Sequence, residues 1–136
     1  MSKFGIVIAA ASLVFAGAAS ASAKPPLRDV REIDDKVYYA LVAYEIGEQC
    51  DSISARKLKG INDLWALGRR AKALGYTEAE IKAYIRSDAE KARMRARGEA
   101  YMEYKGVSYD DPETFCVLGR AEIERNSAIG VYLRAN

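Results

Sequence analysis

Histidine is absent from this sequence. That removes the commonest general base, the commonest metal ligand and the usual pH switch together. A serine nucleophile would need a lysine or carboxylate as its base, and no such pair stands out. Cysteine is limited to Cys50 and Cys116, without the C-x-x-C spacing of redox motifs or many zinc sites. Proline occurs three times, at Pro25, Pro26 and Pro112, so 85 consecutive residues contain none and long helices are permitted. Neither charge sign dominates, with 21 basic against 19 acidic side chains, which argues against a nucleic-acid partner. Nothing reads as a series of strands and hairpin turns, and no internal repeat is visible.

The one long uncharged stretch is at the start. Met1, Ser2 and Lys3 precede an apolar run from Phe4 to Ala19, followed by Ser20, Ala21, Ser22 and Ala23. A short positive region, an apolar segment and small residues at the cut are the layout of a secretory signal peptide. The run is shorter than the roughly 20 residues needed to span a bilayer as a helix. Cleavage is expected after Ala23, with Ala21 as the alternative, making residues 1–23 a signal peptide and residues 24–136 a single helical domain. No membrane segment is expected to remain, and the mature protein is expected to be periplasmic or secreted.

Helical periodicity runs through that domain. A first helix is predicted over about Arg31–Glu48, with Glu32, Asp34 and Asp35 suited to its positive end. A second is predicted over about Ser54–Leu74, starting at Ser52 and Ser54 and carrying a broad stripe of Ile61, Leu64, Trp65, Leu67, Ala71 and Leu74. Thr77 and Glu80 form a capping box, with Tyr76 and Ile81 as its hydrophobic staple. The helix they open reads on to about Lys105, carrying Ile85, Ala89, Ala92, Ala96 and Ala100 as a small-residue stripe suited to close packing. Ser87 stands three residues before Glu90 and offers a break. Asp111 is expected to cap a last helix with Pro112 at its first position and Phe115, Leu118, Ile123, Ile129 and Leu133 for packing. The expected fold is all-α, a small four-helix bundle, or five helices if the third breaks near Ser87.

In an exported protein two cysteines pair, so a Cys50–Cys116 disulfide is expected. An up-down-up-down bundle places the end of its first helix and the start of its fourth at one pole, where such a bridge fits. Two antiparallel pieces around Ser87 would reverse that parity unless the first piece lies crosswise.

Other candidates have plainer readings. Asp110, Asp111 and Glu113 offer too few alternating oxygens for a calcium loop and suit a helix N-terminus. Lys91, Arg93, Arg95 and Arg97 alternate around a helix among Asp88, Glu90 and Glu99, as a solvated, salt-bridged face does. The nine tyrosines supply core volume with a polar tip, and exposed ones suit an interface. No catalytic, cofactor or metal site is expected.

The strings ISARKL, LGYTEAEI, SDAEKARMRARGEAYM and DPETFCVLGRAEIERNSAIG resemble a proteobacterial family of small exported proteins of unknown function. The resemblance spans most of the chain after the signal peptide, with both cysteines inside it, and implies no activity, cofactor or site residue. The expected function is a periplasmic binding or accessory protein acting through an unidentified protein partner. A secreted inhibitor or immunity-type protein is the alternative. An enzyme using Asp88 with Glu90, or Asp111 with Glu113, is a third reading.

Overall fold

The computed structural model describes residues 24–136; the expected signal peptide lies outside the described residues. A 3₁₀ turn at Leu27–Asp29 leads into α1 (Arg31–Gln49). Then come β1 (Ile53–Ala55), α2 (Lys57–Ala73), α3 (Glu78–Arg86), α4 (Asp88–Tyr104) and α5 (Glu113–Glu124). A second 3₁₀ turn at Gly130–Tyr132 leads into β2 (Leu133–Ala135). The fold is largely all-α with five helices, because the long third segment breaks at Ser87. That residue is extended, with ψ at 122°, and its hydroxyl accepts the Glu90 N–H to start α4. The Thr77 capping box forms as the sequence implies, and Tyr76 and Ile81 share one apolar cluster.

α1 is the central helix. Glu32 pairs with Arg70 and Glu48 with Lys57, so α2 runs antiparallel to it. Asp34 meets Arg93 while Val42 lies beside Gly98, so α4 runs parallel to it. Ile46 packs against Gly119 and Cys50 bonds Cys116, so α5 returns antiparallel on another face. The parity problem is resolved because α3 adds no traverse of its own. The chain leaves α2 beside the first 3₁₀ turn, where Tyr76 donates to the Pro25 carbonyl and Lys24 to that of Gly75, and enters α4 near the start of α1. Both cysteines thus reach one pole, bridged with their Cα atoms 5.2 Å apart. The bridge closes a separation of 66 residues, for which chain entropy gives about 4 kcal/mol of stabilisation.

Three expectations fail. α2 begins at Lys57, and Ser54 lies in β1, which pairs antiparallel with β2 in the register Ile53↔Ala135; neither Ser52 nor Ser54 starts a helix. Asp111 does not cap α5 through its side chain. Instead the Thr114 hydroxyl bonds the carbonyls of Ser108 and Asp111. Finally, α5 stops at Glu124 because Asn126 takes a left-handed conformation, φ 48°, which asparagine tolerates at a helix end. Ile129 and Leu133 are buried, but in the hook beyond the helix.

That hook is held by Glu122, buried in α5, which accepts bonds from Tyr101, Arg125 and Ser127. Burial alone would raise its pKa. The hydrogen bonds from Ser127 and Tyr101 outweigh that and pull the carboxyl below its usual value. Gly130 lies so close to α5 that a Cβ there would stand 1.9 Å from the Glu122 carbonyl oxygen.

Candidate binding groove

α2 and α4 flank α1 on one side and leave a groove of about 720 Å³ between them, within the range of ligand pockets. Val37, Leu41 and Tyr44 of α1 recur at helical spacing and line it, with Leu64, Leu67 and Ala71 on α2 opposite Met94, Gly98 and Met102 on α4. Ile81, Tyr84 and Ile85 of α3 line one end and Tyr109 the other. Much of this surface is uncovered: Leu41 is 48% exposed and Leu64 44%. Beside the groove, α2 also exposes Ile61 and Trp65, the latter at 70%. The broad apolar stripe of α2 is therefore only partly core, since Leu67 and Ala71 alone in this helix are buried. On α4 the small-residue stripe is not covered by another element among the described residues, and Ala89, Ala92, Ala96 and Ala100 are all exposed.

A buried ionic cluster holds the α4 wall against α1. Asp34, 4% exposed, accepts from Arg93 at 2.5 and 3.1 Å and from the Tyr84 hydroxyl at 2.6 Å. Arg97 reaches Asp35 at 2.9 Å and stacks 3.8 Å above the centre of the Tyr38 ring. Glu90 accepts from Arg93 at 2.8 Å and also from Arg28. Burial opposes ionisation of Glu90, but the hydrogen bonds from Arg93 and Arg28 prevail and lower its pKa. The Tyr84 phenol is driven far above its ordinary value by burial, reinforced by its bond to Asp34. Tight pairing of this kind restrains position rather than offering a proton for transfer. In the sequence Asp34 reads only as a helix-terminus acid, because nothing local reveals a partner 59 residues away.

The four alternating basic residues of α4 divide into two pairs. Arg93 and Arg97 turn inward to the cluster. Lys91 and Arg95 are exposed along the groove and make no ion pair among the described residues. Glu99 and Glu45, further along, likewise make no ion pair among the described residues, and Glu45 accepts from the Gln49 amide at 3.1 Å. The suggested carboxylate pairs do not assemble. Asp88 is exposed while Glu90 is engaged by arginines, and Glu113 pairs with Arg120 on the surface. Among the described residues no cluster of three metal-ligating side chains occurs, and no helix is long and apolar enough to cross a membrane.

The tyrosines mostly fill the core while their hydroxyls reach polar groups. Tyr132 donates to Asp63 at 2.8 Å, and its pKa is pushed up to about 12, chiefly by burial and then by that bond. Tyr44, Tyr104 and Tyr109 are the exposed ones, and the first and last of these line the groove.

No curated protein and no solved structure matches the chain. Residues 25–134 match a protein family that carries no functional description beyond that fact, and the chain therefore belongs to the family of unknown function DUF5333.

Proposed function

We propose that this is an exported binding or accessory protein that acts through a protein partner, and that the groove between α2 and α4 is where the partner seats. One observation carries the reading: a contiguous apolar groove is left open on a fold whose polar groups are otherwise satisfied, with no buried side-chain nitrogen or oxygen lacking a bond among the described residues. Exposed apolar side chains gathered in a concave groove are where proteins commonly take up a partner or ligand. Export is supported by the disulfide, which persists in oxidising compartments, and by the amino-terminal sequence pattern. An inhibitor would use the same surface, and differs only in suppressing its partner's activity.

A photo-crosslinking residue at Leu64, in cells, should attach one protein, whereas the same residue at Arg120 on α5 should not. Leu41→Glu in the Leu64-labelled protein should abolish the product. Equal crosslinking at both positions, or none at Leu64, would overturn the assignment. The mass of the purified mature chain checks export, since a start at Lys24 is expected and a retained Met1 would contradict it.

A further inference from the structure

We infer that the occupant of the groove is an amphipathic helix of the partner, acidic at the end beside Lys91 and Arg95 and basic at the end beside Glu99 and Glu45. The inference rests on the proposal that the groove binds a protein, and it specifies what that protein must present.

Shape favours a helix. α2 and α4 each pack on α1 but not along one another, so the groove occupies the place of a further helix in a bundle. α1 supplies its floor and the other two its walls. Helix recognition in such grooves works through apolar anchors at i, i+3, i+4 and i+7, and Leu41, Tyr44, Leu64 and Ile85, exposed along the groove, offer surfaces for them. The apolar surface also continues past the groove onto Ile61 and Trp65, a breadth that suits a helix face better than a single acyl chain.

Charge sets the ends. Lys91 and Arg95 are one helical turn apart on the same lip of α4, and Glu99 is one turn further on, about 12 Å from Lys91 at the helical rise. Glu45 belongs to the Glu99 end, because it lies near the end of α1 and α1 runs parallel to α4. The contrast within α4 is informative, since Arg93 and Arg97 are saturated by carboxylates of this chain while Lys91 and Arg95 meet none among the described residues. Cations at one end and anions at the other complement an occupant carrying the opposite charges, and charge arrangement of this sort fixes register. A fatty acid or phospholipid would satisfy the basic end but leave its apolar tail beside two carboxylates.

The test uses the mature oxidised protein and three synthetic 18-residue helical peptides sharing one apolar face. One carries two glutamates and, about 12 Å or eight residues further along the same edge, two lysines; the second carries glutamates at both places, and the third lysines at both. Trp65, the sole tryptophan, lies beside the groove, and its emission should shift to shorter wavelength on binding. The mixed peptide should bind about tenfold more tightly than either of the others at low salt, as expected for two rim pairs made rather than opposed. In the exposed double variant Lys91→Glu/Arg95→Glu, checked for unchanged circular dichroism, the all-lysine peptide should become the tightest.

Equal affinities, or an unchanged order in the variant, would overturn the charge assignment while leaving crosslinking at Leu64 intact. No peptide binding alongside a Leu64 crosslink would overturn the helix and keep the proposed function. Sedimentation showing a dimer that excludes the peptides would assign the groove to a second copy. A Trp65 shift with palmitate or phosphatidylglycerol vesicles, but with no peptide, would overturn both readings.

Discussion

Replacing Asp34 by alanine should loosen the α4 wall of the groove, and the structure sets the scale. Asp34 is the shared acceptor for Arg93, Arg97 and Tyr84, so its removal leaves a guanidinium and a phenol without their main acceptor. Breaking a buried pair costs about 3–5 kcal/mol, and an orphaned hydroxyl about 1 kcal/mol more. Arg93 is 29% exposed and retains Glu90, which moves the expectation toward the lower bound. A net loss of about 3 kcal/mol is a large share of the 5–15 kcal/mol typical of a folded domain. Urea denaturation of the oxidised protein, followed by circular dichroism, measures it. Asp35→Ala is the control: its carboxylate is more exposed and pairs with Arg97 and Arg31 at the rim, so about 1 kcal/mol or less is expected. Hydrogen exchange should rise in α4 well before the Cys50–Cys116 pole. A loss below about 1 kcal/mol for Asp34→Ala, or equal losses for the two variants, would refute the view that Asp34 holds α4 in place.

Gly130→Ala should destabilise by roughly 3 kcal/mol or unseat the hook, because the added methyl meets backbone rather than a movable side chain. Gly60→Ala in α2, where a Cβ meets nothing within 4 Å, should instead stabilise by about 0.5–1 kcal/mol, and thermal melts of the two variants compare them directly. Cys50→Ala/Cys116→Ala should lower stability by up to about 4 kcal/mol relative to the oxidised protein, read from the same urea curves. Glu90 and Glu122 have pKa values in the folded state below the unfolded reference of 4.5. Their contribution is therefore fully present above that pH and is lost as pH falls through the depressed values. Stability measured from pH 7 downward should hold to near pH 5 and then fall, and Glu122→Gln should flatten the acid limb.

The signals that were legible in the sequence are local. The Thr77 capping box, the serine start at Ser87 and the left edge of α1 each depend on residues within one turn of helix. The disulfide was legible because only one pairing exists. The sheet was not: Ile53–Ala55 and Leu133–Ala135 are too short to show alternation, and each is stabilised by the other across most of the domain. Periodicity identified apolar faces on α2 and α4 but carries no information on which face another element covers, so nothing in the stripe through Leu64 and Trp65 signalled that part of it stays open. The division of the basic residues into inward Arg93 and Arg97 and outward Lys91 and Arg95 follows from i, i+4 geometry, yet which pair turns inward depends on the remote Asp34.

The hook and the disulfide both end within a few residues of Cys50, and this makes them thermodynamic partners. Ser54 and Asn136, bonded side chain to side chain, are 82 residues apart along the backbone. Once Cys50 and Cys116 are joined, the shortest covalent route between them contracts to about 24 links, which lowers the entropic cost of closing the sheet by about 1 kcal/mol. Oxidation at one pole is thus transmitted to the strand at residues 133–135 along the chain as well as through the core that Cys50, Cys116 and Leu133 share. The population of that strand in its opened state becomes a reporter of thiol status.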